Sequence, residues 1–284
     1  MFASFYILWT SQTRFSIKNY IITLIDKMIY FNELNKKHYN YSLVEKEKLS
    51  FFTFNQLKNY GSIIYGFTTK NWTKEALIEN LNLNDFSIIP LKQIHSDKFH
   101  LLKEVNSKRL VGDALITTIP NILLTVKTAD CLPILIFNEE EKVAATIHVG
   151  WKGTIKRLTK KVVQAVISSL KVKPSSLFAL LGPCICLKCY EVGEDVKEIW
   201  EKEQGNLNYG FNSLLVPSHK EGKYQLDLRG ANIFQLKELG LRQKNIFNIN
   251  LCTKCNPKLF FSYRRGPTSG GRMISFIGLR NIRI

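Results

Sequence analysis

Two histidines and one cysteine have side chains that bind zinc and lie beside predicted β-strands. Cys131 lies between two apolar strands, and His148 ends the next strand, so a hairpin would bring these two residues to one end of a sheet. His95 also follows a strand and is the candidate for a third ligand. A thiolate and two imidazoles with an open fourth position match a catalytic zinc site. A lone cysteine usually behaves as a small buried hydrophobic residue. Here the predicted proximity of His148 favours metal binding by Cys131 instead.

The other five cysteines lie in two short stretches of the chain. They are Cys184, Cys186, Cys189, Cys252 and Cys255. Two close thiol clusters are a common ligand arrangement in structural zinc sites. The alternative is a set of ordinary reduced thiols, because a chain of 284 residues needs no disulfide framework to fold. The sequence leaves the role of these five cysteines open.

Three arginines near the end of the chain are candidates for binding phosphate or substrate. Arg264 and Arg265 are adjacent, and Arg272 follows the Gly270-Gly271 pair. The planar guanidinium fork matches the oxygens of a phosphate group, and glycines let the backbone approach an anion closely. The alternative is that these arginines lie on a solvated surface or pair with carboxylates there. Such surface ion pairs contribute little to stability.

Apolar, β-branched runs predict the strands that would position these residues. The three clearest strands are 122–127, 133–137 and 143–148, with a polar hairpin connection at 138–142. Further strands are predicted at 41–44, 49–52, 87–93, 177–181 and 273–277. Helices are predicted at 71–80, at 155–170 after an N-cap at Thr154, at 195–202 and at 227–239.

These elements predict an α+β fold, a single domain of mixed β-sheets layered with helices, because strands and helices do not alternate regularly. The domain is expected to cover 28–284, and we interpret residues 1–27 as an N-terminal extension with a misassigned start, since Met28 follows. The first residues lack the basic segment of a signal peptide, and their apolar stretches are too short to span a bilayer. We therefore expect a cytoplasmic protein with reduced thiols and no membrane partner.

The charge of the chain favours anionic partners. Forty Lys and Arg against 23 Asp and Glu give a formal net charge of +17, which attracts phosphate or nucleic acid. The lysines are scattered along the chain, and no recognisable motif of a DNA- or RNA-binding module occurs. A basic nucleic-acid-binding module therefore ranks last among the functions considered.

Six short motifs occur in a fixed order along the chain. They are Gly112-Asp113-Ala114, 127–133 (KTADCLP), 148–153 (HVGWKG), 182–185 (GPCI), 190–193 (YEVG) and 261–265 (FSYRR). From about Phe51 onward the chain resembles the laccase-domain (YfiH-like) family, also called the multicopper polyphenol oxidase family. The resemblance implies a YfiH-like fold with a zinc ion held by two histidines and a cysteine. In this sequence those ligands fall on His95, Cys131 and His148.

The resemblance also implies an activity. Members of the family are now regarded as purine nucleoside phosphorylases that cleave adenosine, inosine, guanosine and methylthioadenosine with phosphate, and that also deaminate adenosine. Deamination requires a group that moves a proton beside a zinc-activated water, and Asp130 or Glu191 are the candidates. Val149 and Lys152 depart from the alanine and arginine expected there, and 266–272 lacks an expected acidic residue. These departures concern substrate positioning and leave the zinc ligands intact.

The number of histidines decides whether this chain can form the copper sites of a laccase. A true laccase needs a mononuclear copper and a trinuclear cluster, hence many imidazoles. This chain has five histidines in total. Multicopper chemistry is therefore rejected, although a single copper ion can replace zinc at a Cys/His site and support a phenol oxidase.

A cysteine hydrolase is the rival enzyme class. Cys131 would be the nucleophile and His148 its base, acting on an amide such as a cell-wall peptide. A thiolate is required both for nucleophilic attack and for metal binding, so the residues alone fit either function. The metal content of the purified protein separates the two.

Overall fold

The computed structural model describes residues 40–281 except 47–48, 90, 106–108, 205–213 and 267–269. The predicted N-terminal extension, 1–27, lies outside the described residues. Within them the chain forms seventeen β-strands and five α-helices, numbered here in chain order. Among these helices none is both long and apolar enough to cross a membrane.

The first of two large sheets has six strands and combines both ends of the described chain. In spatial order these are β1 (Tyr41–Lys46), β2 (Leu49–Phe54), β3 (Ile63–Thr68), β17 (Met273–Leu279), β9 (Ile122–Thr128) and β4 (Ser87–Ile88). Neighbouring strands are antiparallel except for the edge pair of β4 and β9. The last strand, β17, thus lies in the middle of the sheet beside β9, whose end leads to Cys131.

The second large sheet also has six strands and contains the predicted central hairpin. In spatial order these are β16 (Ile246–Asn248), β12 (Phe178–Leu181), β10 (Leu132–Asn138), β11 (Val143–Val149), β8 (Ala114–Thr117) and β6 (Phe99–Leu102). The four inner strands pair antiparallel, and the edge strands β16 and β6 pair parallel to their neighbours. The predicted strands at 122–127, 133–137 and 143–148 are confirmed.

Smaller elements complete the chain. A three-stranded sheet contains β13 (Glu191–Gly193), β15 (Lys223–Leu226) and β14 (Leu215–Pro217), and a parallel ribbon contains β5 (Leu91–Lys92) and β7 (Leu110–Val111). The helices are α1 (Lys74–Leu81), α2 (Trp151–Ile155), α3 (Leu158–Leu170), α4 (Glu194–Gln204) and α5 (Leu228–Glu238).

The two large sheets pack face to face with helices on both outer sides. Successive side chains of a strand point to opposite faces. In β10, Leu135 joins the aromatic core between the sheets together with Phe52, whereas Ile134 faces the other way and packs with Leu158 of α3. Leu77 of α1 covers the outer face of the first sheet. The predicted fold, mixed sheets layered with helices, is confirmed.

The helix predicted to begin after Thr154 starts earlier and is interrupted. Residue 151 opens the short helix α2, and Arg157, with φ of 59°, separates α2 from α3. The predicted N-cap at Thr154 is therefore wrong. Thr154 is buried inside α2, where its hydroxyl accepts a hydrogen bond from the Asn232 amide of α5 and its carbonyl accepts one from Gln235.

The single strand predicted at 87–93 is also corrected. The chain forms β4 at the edge of the first sheet, leaves that sheet, and forms β5 in the small ribbon with β7. This change of direction places His95 in the turn after β5 rather than at the edge of a large sheet.

One glycine allows the two large sheets to approach each other closely beside Cys131. Gly182 follows β12, and its N–H donates a hydrogen bond to the Pro133 carbonyl on β10. A Cβ atom at this position would lie 2.3 Å from Phe67 Cδ1 and 2.7 Å from Pro133 Cγ. Neither contact is possible without moving packed side chains.

We therefore expect Gly182→Ala to lower the free energy of unfolding by about 1–3 kcal/mol, the usual cost of overpacking a core. Gly61→Ala is the matched control, because no atom lies within 4 Å of a Cβ added there. The midpoints of urea unfolding measure the difference. Equal midpoints for the two variants would show that the contact between the sheets is not tight.

Candidate metal centre and cavity

The three predicted ligands come together at one end of the sheet sandwich. Cys131 lies in the connection between β9 and β10, and His148 of β11 pairs with Pro133 of β10. His95 approaches from the turn after β5. The Cys131 sulfur and one ring nitrogen of each histidine all lie within 4.8 Å of one another.

The turn that carries His95 has an unusual backbone. His95 has φ of 56°, in the left-handed region that only a few per cent of residues other than glycine adopt. Its N–H donates to Asp113 Oδ1 at 3.0 Å, and the next N–H, that of Ser96, donates to Asp113 Oδ2 at 2.6 Å. The Ser96 hydroxyl donates to the same oxygen at 2.7 Å. The Asp113 carboxylate thus holds the strained turn in place.

Asp113 also orients the second histidine. Its Oδ1 lies 2.8 Å from Nδ1 of His148, and both side chains are buried. A histidine held through Nδ1 presents Nε2 to a metal, and such carboxylate partners fix the orientation of metal-binding histidines. Asp113 belongs to the first of the six sequence motifs, but the sequence alone predicts no role for it. Its position before a buried strand gave no direct sign of the two histidines that it contacts.

The three side chains influence each other's protonation. Burial opposes ionisation of the Cys131 thiol, but hydrogen bonds from His148 and His95 outweigh burial and lower the pKa of Cys131 to about 6. Burial also opposes the charged form of His148, yet hydrogen bonds to Asp113 and Cys131 raise its pKa to about 9. The environment therefore favours a thiolate at Cys131, which is the form that binds metal.

The arrangement fits a single zinc ion with an open position. The donors are one sulfur and two imidazole nitrogens, which zinc accepts in catalytic sites. His95 is exposed on the side of a cavity, and Cys131 is half-buried. Gly150 keeps this side open, because a Cβ atom there would lie 3.1 Å from the Cys131 sulfur and 3.4 Å from His95 Cδ2.

The ligands open into a cavity of about 600 Å³. Besides the three ligands, the lining residues are Gln93, Lys127, Ala129, Asp130, Gly150, Trp151, Ile185, Tyr190, Tyr263, Arg264 and Arg272. The walls thus combine aromatic rings with three cationic side chains. Four of these lining residues were not predicted from sequence, although each lies within one of the six motifs: Lys127, Trp151, Tyr190 and Tyr263.

The three predicted arginines have different surroundings. Arg264 lines the cavity, donates to the Glu191 carbonyl at 2.7 Å, and lies over the Tyr190 ring. Arg272 also lines the cavity. Arg265 is absent from the cavity lining, and its guanidinium donates to the carbonyls of the 252–255 turn and of residue 260. The structure therefore brings Arg264 and Arg272 to the cavity and places Arg265 beside a turn.

The two acidic candidates for proton transfer are both hydrogen-bonded elsewhere. Asp130 borders the cavity, but its Oδ1 accepts from the Thr253 hydroxyl at 2.6 Å, and its Oδ2 accepts from the Ser262 hydroxyl at 3.0 Å and from the Arg264 N–H at 2.7 Å. The backbone φ of Asp130 is 93°, again in the left-handed region. This carboxylate therefore links its own segment to Thr253 and to residues 262–264.

The Glu191 carboxylate contacts residues outside the cavity lining. Its carboxylate accepts from the Ser218 hydroxyl at 2.9 Å and pairs with Lys220 at 3.2 Å, and these contacts lower its pKa. The side chain is absent from the lining of the cavity, and only the backbone carbonyl contacts Arg264. Asp130 is thus near the ligands, whereas the Glu191 carboxylate is not.

Potential metal ligands form two groups within the described ranges. One is the triad of His95, Cys131 and His148, and the other is a separate set of four cysteines. The ring of His100 instead contacts the Val111 carbonyl at 3.0 Å. Within the described residues, the first group contains two imidazoles and the second contains none.

Comparisons with known proteins agree on the relationship of this chain. The family described as multi-copper polyphenol oxidoreductase laccase matches residues 70–280. The chain is 34% identical over 242 residues to a protein of Clostridium acetobutylicum named purine nucleoside phosphorylase, covering 81% of this chain and 98% of that protein. It is 36% identical over 167 residues to adenosine deaminase RL5 of an unknown prokaryotic organism, covering 59% of this chain and 61% of that protein.

The fold has close counterparts among solved structures. The Bacillus licheniformis hypothetical protein YfiH superposes with a TM-score of 0.72 at 26% identity, covering 83% of this chain and 98% of that chain. YlmD of Geobacillus stearothermophilus superposes with a TM-score of 0.74 at 23% identity, covering 84% and 99%, and shows the shared fold. Together with the match over residues 70–280, these likenesses show that the chain belongs to the multi-copper polyphenol oxidoreductase laccase family, the YfiH-like family that its six motifs indicate.

Proposed function

We propose that this protein is a cytoplasmic, zinc-dependent purine nucleoside phosphorylase that also deaminates adenosine. The observation that carries the proposal is the convergence of His95, Cys131 and His148 at the base of a cavity with cationic and aromatic walls. The names of the two relatives, purine nucleoside phosphorylase and adenosine deaminase, support the same substrate class. The proposed substrates are adenosine, inosine, guanosine and methylthioadenosine.

The metal would be held by His95, Cys131 and His148. A zinc ion with this donor set acts as a Lewis acid, which polarises a bound oxygen and lowers the pKa of water. The role of Asp113 is to keep the Nδ1 atom of His148 occupied and the His95 turn closed. Copper at the same ligands would support the alternative, a phenol oxidase, and metal analysis of the purified protein separates the two.

The cationic wall is proposed to bind phosphate. Arg264, Arg272 and Lys127 bring three positive charges to one cavity, and guanidinium forks match phosphate oxygens. In phosphorolysis a phosphate oxygen forms a bond to the ribose C1′ while the bond from C1′ to the purine nitrogen breaks. The purine leaves with the bonding electrons and gains a proton. Fixed cations hold the attacking phosphate in position and stabilise the charge that develops.

The aromatic wall is proposed to bind the purine. Tyr263 lines the cavity with 62% of its surface exposed, so its ring is accessible to a ligand. Trp151 lines the same cavity. Rings in this setting stack on a flat heterocycle and tolerate different purines, because every base has a π-face.

Asp130 and Glu191 are proposed to position Arg264 rather than to transfer protons, Asp130 through its carboxylate and Glu191 through its backbone carbonyl. Asp130 precedes Cys131 and holds the Arg264 backbone, so it links the metal ligand to the cationic wall. Glu191 holds the Arg264 guanidinium through its carbonyl. Both contacts fix where the arginine fork points.

The first test is a nucleoside panel with and without phosphate, read by chromatography. We expect phosphate-dependent release of free purine from adenosine, inosine and guanosine, and phosphate-independent conversion of adenosine to inosine. His148→Ala removes a metal ligand and should reduce the rates of both reactions by more than about 100-fold. Even mutation of a residue that only hydrogen-bonds a metal ligand commonly lowers metal affinity or activity by about 10- to 100-fold.

The matched control is His219→Ala, because His219 is exposed and lies outside the cavity lining. It should retain full activity and zinc content. Normal turnover by His148→Ala, with an unchanged melting temperature, would show that the three proposed metal ligands are not needed for the reaction. Amide hydrolysis by metal-free protein would instead support the cysteine hydrolase, in which Asp113, His148 and Cys131 form a catalytic triad.

Asp113→Asn tests the carboxylate behind the metal ligands. The amide keeps the size of the side chain but removes its charge and one acceptor, so we expect the affinity for zinc to fall by about 10- to 100-fold. Competition with a chromophoric chelator measures this affinity. Ser96→Ala is the control, because it removes one donor to Asp113 and leaves His148 untouched; an equal loss in both variants would contradict the proposed role.

Arg272→Ala tests the phosphate site. A hydrogen bond to a charged group is worth roughly 1.5–3 kcal/mol, so the KM for phosphate should rise by about tenfold or more. Deamination of adenosine needs no phosphate and should change little. Arg265→Lys is the comparison, since Arg265 binds backbone carbonyls and its replacement should lower the melting temperature rather than affinity for phosphate. An unchanged KM for phosphate in Arg272→Ala would exclude this arginine from the site.

A further inference from the structure

Four cysteines outside the catalytic cavity converge at a second point of the molecule. They belong to two identical spacings, Cys186-Leu-Lys-Cys189 and Cys252-Thr-Lys-Cys255. Their four sulfur atoms all lie within 4.8 Å of one another, and none is in a disulfide. Two C-x-x-C pairs at one point form the donor set of a tetrahedral site with sulfur ligands only.

The backbone brings the two pairs into register. Residues 184 and 252 form a parallel β-bridge, and the Thr253 N–H donates to the Cys184 carbonyl at 3.1 Å. Cys186 and Cys252 are 66 residues apart in sequence, as are Cys189 and Cys255. Each residue of the first pair therefore has a counterpart in the second, and the bridge fixes this arrangement before any metal binds.

Each pair lies in a tight turn that directs its sulfur atoms to the same side. The Cys189 N–H donates to the Cys186 carbonyl at 2.9 Å, and the Asn256 N–H donates to the Cys252 carbonyl at 3.1 Å. The Cys186 N–H points at the Cys252 sulfur at 3.4 Å. Backbone N–H groups aimed at sulfur stabilise the thiolate form, which is the form that binds metal.

The spacing of the sulfur atoms suits a metal better than a disulfide. The Cys189 and Cys255 sulfur atoms are 3.4 Å apart, whereas a disulfide requires about 2.05 Å. With zinc–sulfur bonds of about 2.3 Å, the edge of a tetrahedron is about 3.8 Å. The observed separation is thus within a few tenths of an ångström of the tetrahedral edge.

We propose that Cys186, Cys189, Cys252 and Cys255 bind a structural zinc ion. All four positions are filled by protein, so the site is closed to substrate, unlike the triad with its open position. The proposal does not depend on the proposed reaction of the cavity, because the two groups share no residue.

The surroundings offset the charge of such a site. Zinc with four thiolates carries a net charge of −2, and each pair contains a lysine, Lys188 and Lys254, both exposed. Arg265 adds a third cation, since its guanidinium donates to the Thr253 and Lys254 carbonyls at 3.0 and 3.1 Å. This accounts for an arginine that the phosphate site does not use.

The site would connect a segment of the cavity wall to a turn that supports the wall through Asp130. Ile185 and Tyr190, which flank the first pair, both line the cavity. Thr253, inside the second pair, donates its hydroxyl to Asp130 next to the catalytic Cys131. A zinc ion between the pairs would therefore hold both segments in place, and its loss should loosen the cavity without removing any catalytic group.

Metal counting on the full chain tests the proposal. By elemental analysis we expect two zinc ions in the unmodified protein, one in Cys131→Ala and one in Cys255→Ser, whose exposed side chain can be changed without a core cavity. Cys184→Ala is the control: Cys184 is a buried cysteine just before the first pair that lies outside the group of four, and this variant should keep two zinc ions.

Cobalt identifies the ligands directly. In Cys131→Ala the remaining site, reloaded with Co²⁺, should give the intense visible bands and the sulfur-to-cobalt charge transfer of a four-thiolate tetrahedron. This measurement separates the two proposals, because loss of purine chemistry in Cys131→Ala leaves the cobalt spectrum unaffected. It also requires only one folded variant.

Several results would overturn the proposal. One is a Cys131→Ala protein without zinc and without the four-thiolate spectrum. Another is retention of both zinc ions in Cys255→Ser. A disulfide between Cys189 and Cys255 in protein purified under reducing conditions, detected as a loss of two hydrogens by mass spectrometry, would also overturn it, as would iron in place of zinc.

Discussion

The buried carboxylate of Asp113 is the contact on which the candidate metal centre depends. One oxygen lies against Nδ1 of His148, and both oxygens accept N–H groups from the turn that carries His95. Two of the three ligands thus share one partner, although they come from a strand and from a separate turn. Removing a charge that is buried and bonded in this way leaves several donors unsatisfied at once. The geometry of the ligands is therefore set before a metal arrives.

The sheet sandwich explains why the site lies where it does. Cys131 follows β9 of the first sheet and precedes β10 of the second, so the chain crosses between the two sheets at Cys131. Close approach at this crossing requires small residues. Gly182 lets Phe67 pack against Pro133, and Gly150 leaves space beside the Cys131 sulfur. The three ligands therefore lie at the edge of the core, where tight packing near Gly182 adjoins the open space near Gly150.

Sequence reasoning predicted the elements with strong periodicity and missed what depends on long-range contacts. The strands around Cys131 and His148 are apolar and β-branched, so their positions and pairing followed from local pattern. The prediction of an N-cap at Thr154 was wrong because Thr154 accepts hydrogen bonds from side chains of α5 instead. The sequence around Thr154 contains no signal for contacts with a helix more than 70 residues further along the chain. The role of Asp113 was missed for the same reason. Arg264 and Arg265 were likewise predicted to have the same role from sequence. The structure distinguishes them, because Arg265 donates to the carbonyls of a turn and Arg264 lines the cavity.

The two proposed metal sites would use the cysteine thiolate for two different purposes. At Cys131 a single thiolate shares the site with two histidines, which leaves a position open beside a large cavity. At the four-cysteine group the protein supplies every ligand, so a bound ion can only join segments together. Arg265 and Thr253 connect this group to the cavity wall, since one contacts its backbone and the other contacts Asp130. Because the wall that carries Arg264 rests on these contacts, the closed site can influence the open one through geometry alone, without sharing a ligand or a proton with it.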